Sequence, residues 1–204
     1  MTTKGAFKKA IVARIEAGLA SLSFCKKPVG LSKELGRDAS GYVGLPVSTH
    51  LPHNRIGIAP VVGVIYSPLE SLLGTVSEAS QFRNDATLTV EVGYLTPQKK
   101  FMEWVFDPTL DAGSEITKVI RVIEEYGLPF MQEHLTLDQI ITELEANRFT
   151  VNDLRRYRLP AAYVLAQRKD EARRFIEQEL KELAPRTDSA ANEFREFAQA
   201  LMNL

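Results

Sequence analysis

Residues Tyr42–Ser67, YVGLPVSTHLPHNRIGIAPVVGVIYS, decide the fold, because they predict two β-strands joined by a short polar turn. Apolar side chains alternate with small or polar ones along the first arm, Val43–Leu51, a pattern typical of a half-buried strand. The second arm, Ile56–Tyr66, is apolar on both faces, as in a strand that lies central in its sheet. Pro46 predicts that the first arm is an edge strand or is bulged, and Pro60 predicts a break in the second. We therefore expect the second arm to form the middle of the core.

The composition is that of a globular protein with a core of its own. The chain has 204 residues, 45% hydrophobic and 25% charged, which suits one domain or one domain with a small appendage. A formal net charge of -1 gives no overall attraction to nucleic acid or to an anionic membrane. Cys25 is the only cysteine, which excludes an intrachain disulfide and a cysteine-based zinc site. The N-terminal segment is amphipathic and no apolar run approaches the ~20 residues of a membrane span, so we expect a cytoplasmic protein with no membrane partner.

The order of the predicted elements places the chain in the α+β class. A helix over Thr3–Leu22 precedes the strands, and the residues after Asp107 are mostly helical. Strands are predicted at 29–35, within 42–67, and at 87–94 and 100–106, the last two paired as a hairpin. This segregation favours an antiparallel sheet of about four to five strands, with the N-terminal helix and a C-terminal helical bundle packed on it.

Short capping signals mark the ends of several helices. Ser67 and Glu70 have the spacing of a capping box and predict a short helix after the hairpin. Thr136 and Gln139 have the same spacing and predict another. Gly127 stands where a C-terminal cap belongs, so we expect a helix to end there.

The sequence contains no free linker that would separate two domains. The best candidate boundary is Arg148–Asp153, but Phe149 and Val151 there indicate a packed joint. We predict an α+β domain over residues 1–150 and a helical C-terminal subdomain over 151–204 packed on it, with one single domain as the alternative.

Three stretches of the chain carry a resemblance to a known family. They are the opening helix with Ser23–Lys27, the strand segment around Gly57–Val64, and Glu124–Phe130 followed by a helix and Leu159–Tyr163. Together they resemble an uncharacterised bacterial α+β family that is known only as a domain of unknown function. Members of this family resemble immunity or accessory proteins. The resemblance therefore implies a protein that acts by contacting another protein, and it carries over no catalytic residue.

The densest cluster of reactive side chains lies in the predicted turn, where His50, His53 and Arg55 are close in sequence. Two histidines could ligate a metal, and arginine could hold an anion. Residues three apart on a strand point to opposite faces, so only a turn at Pro52 could bring the histidines together. We keep the three as candidate binding residues, favour a solvated turn, and predict no metal site.

The densest basic stretch, residues 155–174, offers a second candidate site. Arg155, Arg156 and Arg158 could bind the phosphates of a nucleic acid, with Tyr157 stacking on a base. Acidic residues interleave with this stretch, which favours a solvated helix face with ion pairs at three- and four-residue spacing. On that interpretation, reversal of each arginine to glutamate changes stability by well under ~1 kcal/mol.

Two remaining groups of residues are predicted to be structural. The aromatic side chains of the second predicted hairpin could line a pocket but are expected to pack in the core; they are Tyr94, Phe101, Trp104 and Phe106. The thiol of Cys25 has no base near it in sequence, so it is not expected to act as a nucleophile.

Three functional hypotheses remain open. The leading one is a non-enzymatic protein-interaction protein whose partner is another protein, because the sequence contains no cofactor loop, no metal set and no nucleophile beside a base. The alternative is an enzyme or small-ligand binder with a pocket between the sheet and the C-terminal helices. A further alternative is nucleic-acid binding through residues 155–174. We predict no cofactor and name no catalytic residue, and the sequence sets no oligomeric state.

Overall fold

The computed structural model describes residues 3–28, 30–76, 86–148 and 152–204, with side chains from residue 154 onward in the last range. The helices are α1 Lys4–Ala20, α2 Ser67–Val76, α3 Gly113–Val122, α4 Leu128–Gln132, α5 Leu137–Ala146, α6 Asn152–Leu165, α7 Lys169–Leu183 and α8 Ser189–Met202. The strands are β1 Cys25–Lys26, β2 Leu31–Glu34, β3 Ala39–Gly44, β4 Val47–Ser48, β5 Ile56–Ile58, β6 Val61–Tyr66, β7 Leu88–Glu91 and β8 Trp104–Phe106. These elements confirm the α+β class, with antiparallel sheets, an N-terminal helix and C-terminal helices.

The chain divides into two compact units, and each contains two stretches of sequence. The first unit comprises Met1–Val64 and Thr89–Glu133, and the second comprises Ile65–Leu88 and His134–Leu204. The boundary that we predicted at residue 150 falls inside the second unit, and residues 149–151 lie outside the described residues. Helix α5 belongs with the C-terminal helices because Ile140, Ile141 and Leu144 lie in the same hydrophobic cluster as those helices.

The strands form two sheets where the sequence predicted one. Among the described residues, one sheet has five strands in the order β1-β2-β3-β6-β7, and the other has three in the order β4-β5-β8. The pairings of β1 with β2 and of β2 with β3 are antiparallel, and so are those of β5 with β4 and with β8. The larger sheet thus contains the predicted number of strands, and the smaller sheet is an additional feature.

Both arms of the hairpin pass from one sheet to the other at a proline. The first arm supplies β3 to the larger sheet and β4 to the smaller, with Pro46 between them. The second arm supplies β5 to the smaller sheet and β6 to the larger, with Pro60 between them. The break predicted at Pro60 is confirmed. For the first arm Pro46 predicted an edge strand or a bulge, and β4, which follows Pro46, is an edge strand of the smaller sheet. The central position of the second arm is also confirmed, because Ile58 and Val64 are both 0% exposed.

The predicted hairpin between residues 87–94 and 100–106 is wrong. Strand β7 lies beside β6 in the larger sheet, whereas β8 pairs with β5 in the smaller one. The chain leaves the larger sheet after Glu91 as a 3-10 helix, Val92–Leu95, and the Val92 amide donates to the Pro60 carbonyl at 2.9 Å. This turn of helix separates the two strands and directs them to different sheets.

The aromatic side chains of this region divide into buried and exposed pairs. Trp104 and Phe106 of β8 are buried, as predicted. Phe101 and Tyr94 are 51% and 45% exposed, so the predicted core packing is wrong for these two. Tyr94 lies in the 3-10 helix that follows β7, and Phe101 lies in the loop before β8.

Gly127 does not end a helix, contrary to the prediction. Helix α3 continues through a π-helical turn, Ile123–Gly127, directly into α4. Gly127 has helical backbone angles, φ -71° and ψ -46°. A Cβ atom at this position would lie 2.9 Å from Cγ1 of Val62, so the glycine allows the sheet to approach the helix closely.

The second unit is a helical bundle with an aromatic centre. The ring of Tyr157 contacts Phe194 and Phe197 edge to face, at centroid distances of 5.5 and 4.8 Å. The predicted capping box of Thr136 and Gln139 is confirmed at the start of α5. Within the described residues, no helix combines the length and the hydropathy that crossing a membrane requires.

Candidate protein-docking groove

An open groove runs between α7 and α8 in the second unit. Its volume is about 530 Å³. We name it the α7–α8 groove and define it by its lining residues, which are Arg173, Ile176, Glu177, Leu180, Arg195, Ala198, Gln199 and Met202. On each helix these residues occupy positions i, i+3, i+4 and i+7, which is one face of an α-helix over two turns. The groove is therefore formed by two neighbouring helix faces.

The floor of the groove is apolar and its rim is charged. Ile176 and Ala198 are buried at 4% and 3% exposure, and Leu180 and Met202 are half-buried beside them. The exposed rim side chains belong to Arg173, Glu177 and Gln199. An apolar floor with a polar rim is the anatomy of a protein-docking surface.

Arg195 places a fixed positive charge at one end of the groove. Its Nη2 donates to the backbone carbonyls of Leu183 and Arg186 at 2.8 and 2.7 Å. Its Nη1 donates to Oδ1 of Asn192 at 2.7 Å. These bonds hold the guanidinium against the C-terminal end of α7, where the helix dipole also favours a cation. A partner that pairs with this charge would not have to order the side chain first.

Arg155 and Arg156 of the basic stretch contact other helices of the same unit. Nε of Arg155 donates to the carbonyl of Leu144 at 2.6 Å, and its guanidinium lies 5.1 Å from the centre of the Phe175 ring. Arg156 forms an ion pair with Glu179, and both side chains are largely buried. The two arginines are thus held by α5 and α7, and neither extends freely from the surface.

Arg158 lies in the interior, so the predicted solvated face is wrong for this residue. Its side chain is 0% exposed, and it pairs with Glu70 of α2 through Nε–Oε1 and Nη2–Oε2 distances of 3.1 and 3.5 Å. The hydroxyl of Thr87 also donates to Oε1 of Glu70 at 2.7 Å and accepts from the amide of Tyr66 at 2.9 Å. Among the described residues, Nη1 of Arg158 has no hydrogen-bond partner. The network joins α2, α6, the end of β6 and Thr87, the residue before β7, and we assign it a structural role.

Two residues of the predicted turn cluster, His53 and Arg55, lie near the carboxyl group of Asp107. The carboxyl pKa of Asp107 is lowered, chiefly because Thr109 donates two hydrogen bonds to it, and Arg55 and His53 add smaller electrostatic effects. His53 is exposed with φ 57°, which identifies it as a turn residue. His50 instead lines a cavity beside the smaller sheet.

The hydrogen bond between Ser48 and His50 does not amount to a catalytic pair. Oγ of Ser48 lies 3.0 Å from Nδ1 of His50, and the two residues are neighbours on one face of the same short stretch. A nucleophile and its base normally require a third group that orients the base. Within the described residues, no hydrogen bond or ion pair joins His50 to a carboxylate. Those residues also contain no group of three or more His, Cys, Asp or Glu side chains that could hold a metal ion.

The α7–α8 groove was not predicted from the sequence. In the structure, each of the two helices has an apolar stripe that faces the bundle core through residues such as Ala172 on α7 and Phe194 on α8. The groove uses the margin of each stripe. In the sequence, the groove is indicated only by Leu180 and Met202, which make the apolar stripe of each helix wider than the face that packs against the core.

Comparison of the chain with protein-family models, with curated proteins and with solved structures returns no match.

Proposed function

We propose that the chain is a non-enzymatic protein-interaction protein that docks a helix of a partner protein in the α7–α8 groove. The observation that carries the proposal is the matched i, i+3, i+4, i+7 lining of both helices. Two such faces side by side form the surface on which a third helix packs in a bundle. The resemblance to immunity and accessory proteins is consistent with this role. That the chain is itself an immunity or accessory protein is part of the proposal.

The size of the groove sets the length of the docked segment. Arg173 and Leu180 are seven residues apart, which corresponds to about 10 Å along a helix axis. A partner helix therefore covers the floor with about two turns, and its apolar side chains recur at i, i+3 or i+4, and i+7. The contact is small, so the proposal predicts a modest affinity unless neighbouring surfaces also contribute.

The charges on the rim set the polarity of the docked helix. Arg195 lies at the end where α7 finishes, Arg173 lies near the start of α7, and Glu177 lies between them. A complementary helix carries carboxylates near both ends of the contact and a basic or polar residue in the middle. This pattern distinguishes the proposed partner from an amphipathic helix with a uniformly charged face.

Affinity capture from lysate of the source cells, followed by peptide binding, tests the proposal. A protein that co-purifies with the wild-type chain should be lost with the Leu180→Asp variant, because an aspartate would place an unpaired charge on the apolar floor. The Glu182→Ala variant is the matched control, since residue 182 is exposed on the opposite face of α7.

The helix identified in that protein is then made as a synthetic peptide. Its Kd should rise at least about tenfold for Leu180→Asp and should stay unchanged for Glu182→Ala. Melting curves check that both variants are folded. Equal peptide binding by the wild type and a folded Leu180→Asp variant would contradict the proposal.

A further inference from the structure

A second open cavity lies in the first unit, beside the three-stranded sheet. Its volume is about 520 Å³. We name it the sheet cavity, and its polar and aromatic lining comprises Ser48, Thr49, His50, Glu91, Phe101 and Glu103. No lysine or arginine is among its lining residues. The cavity thus contains two carboxylates and no fixed positive charge.

The two carboxylates of the sheet cavity lack a counter-charge of their own. Glu91 and Glu103 are both half-buried, and neither side-chain carboxylate forms an ion pair or a hydrogen bond within the part of the chain that the structure describes. Lys99 and Lys100 are close in sequence, but both are exposed and pair with neither glutamate there. Carboxylates in a partly desolvated pocket gain more from an opposite charge than carboxylates in open water.

The backbone of β5 positions one of these carboxylates. A Cβ atom at Gly57 would overlap the carboxyl carbon and both carboxyl oxygens of Glu103. The carboxylate therefore rests directly on the bare backbone of Gly57, and any larger residue would displace it. This contact holds the charge of Glu103 at the cavity wall. A larger residue in place of Gly57 would therefore move this charge while the net charge of the protein stays the same.

Phe101 supplies an aromatic wall to the same cavity. Its side chain is 51% exposed, although it is large and apolar. The face of an aromatic ring attracts cations, and the attraction is stronger where the cation is partly desolvated. From these contacts we propose that the sheet cavity binds an organic cation, an ammonium or guanidinium group the size of a side chain. Glu91 and Glu103 supply the counter-charge, and Phe101 covers the ligand.

The arrangement favours an organic cation over a metal ion. A divalent metal needs several ligand atoms that converge on one point, and no such group of three acidic, histidine or cysteine side chains occurs among the described residues. An organic cation needs only a charged wall and an aromatic face, which the cavity provides. Its source is either a Lys or Arg side chain of a protein or a free polyamine.

Titration of the full-length chain followed by amide NMR tests the proposal. The probes are Nα-acetyl-arginine methylamide, spermidine and the uncharged isostere Nα-acetyl-citrulline methylamide. We expect saturable shifts at the amides of residues 48–50, 57 and 101–103 with at least one of the two cations, and none with citrulline. Stronger binding of the arginine derivative assigns the site to a protein side chain, and stronger binding of spermidine assigns it to a free polyamine.

Variants separate a charge effect from a general loss of structure. Glu103→Gln and Glu91→Gln should each raise the Kd about tenfold, whereas Glu34→Gln, an exposed glutamate of β2, should leave it unchanged. Gly57→Ala should weaken binding as well, because it moves the Glu103 carboxylate while the net charge stays the same. Equal binding of the citrulline probe, or no saturable shift up to about 50 mM of either cation, would overturn the proposal.

Discussion

The buried pair of Arg158 and Glu70 allows the sharpest stability prediction. Arg158 is 0% exposed and its Nη1 has no partner among the described residues, so Glu70 supplies the counter-charge that the structure shows for the buried guanidinium. In Glu70→Gln the guanidinium stays buried without that charge. Breaking a buried ion pair by removing one partner costs about 3–5 kcal/mol, and we expect a loss of this size in the free energy of unfolding.

The opposite change should cost less. In Arg158→Met the carboxylate of Glu70 keeps its hydrogen bond from Thr87, and its side chain is already 13% exposed to water. We therefore expect a loss of about 2–3 kcal/mol, the cost of a poorly satisfied charged acceptor. The double variant Glu70→Gln with Arg158→Met combines the two single changes and removes both charges, so neither charge is left buried without its partner.

Urea denaturation of the wild type, the two single variants and the double variant measures these differences in the free energy of unfolding, with Arg173→Met as the control. Residue 173 is an exposed arginine on the surface of α7, so its replacement should change stability by less than about 0.5 kcal/mol. The double variant should be more stable than either single variant, which is a strong coupling in a double-mutant cycle. A loss below about 1 kcal/mol in Glu70→Gln, or strictly additive losses in the double variant, would refute the reasoning.

Three further predictions concern the core, the basic stretch and a tyrosine. Ile58→Ala should destabilise the chain by about 2–4 kcal/mol and Val64→Ala somewhat less, because both side chains are 0% exposed; chemical denaturation losses under half a kcal/mol at both positions would contradict this. Fluorescence polarisation with single- and double-stranded oligonucleotides should show no binding near physiological salt, because Arg155 and Arg156 are held by their own bundle; micromolar, salt-sensitive binding would reverse that conclusion. Burial, and then the hydrogen bond to Glu145, raise the pKa of Tyr163 to about 12. The neutral form of Tyr163 therefore stabilises the fold fully below about pH 10, and that contribution is lost as pH rises through 12. In a pH titration, the tyrosine signal with the highest pKa should disappear in Tyr163→Phe.

The fold was predictable where local pattern decides it. Alternation and proline positions located the arms of the hairpin and their breaks, because backbone donors and side-chain faces are properties of the nearest residues. The sharing of those arms between two sheets was not predictable, since strand partners are chosen by packing across the whole chain. The same reason explains why the hairpin predicted for β7 and β8 is wrong. Each strand was located from its pattern, but β7 lies beside β6 and β8 pairs with β5.

The candidate sites were less predictable than the fold. Arg158 reads as a surface residue because its counter-charge, Glu70, is 88 positions away in sequence. The α7–α8 groove consists of the uncovered margins of two amphipathic stripes, and a sequence does not show which margin a third helix would cover. The sheet cavity combines Glu91, Phe101 and Glu103 with the first hairpin arm, which again requires the three-dimensional arrangement.

Site-specific photo-crosslinking tests the central claim most directly. Benzoylphenylalanine in place of Leu180 lies in the α7–α8 groove, and the same residue in place of Glu182 lies on the opposite face of α7. After irradiation in lysate of the source cells, we predict a cross-linked protein at position 180 and none at position 182. The attached peptide should be an amphipathic helix with apolar residues at i, i+3 or i+4, and i+7 and a carboxylate near each end. Equal products at both positions, a product formed only between two copies of this chain, or no product at position 180 would contradict the account.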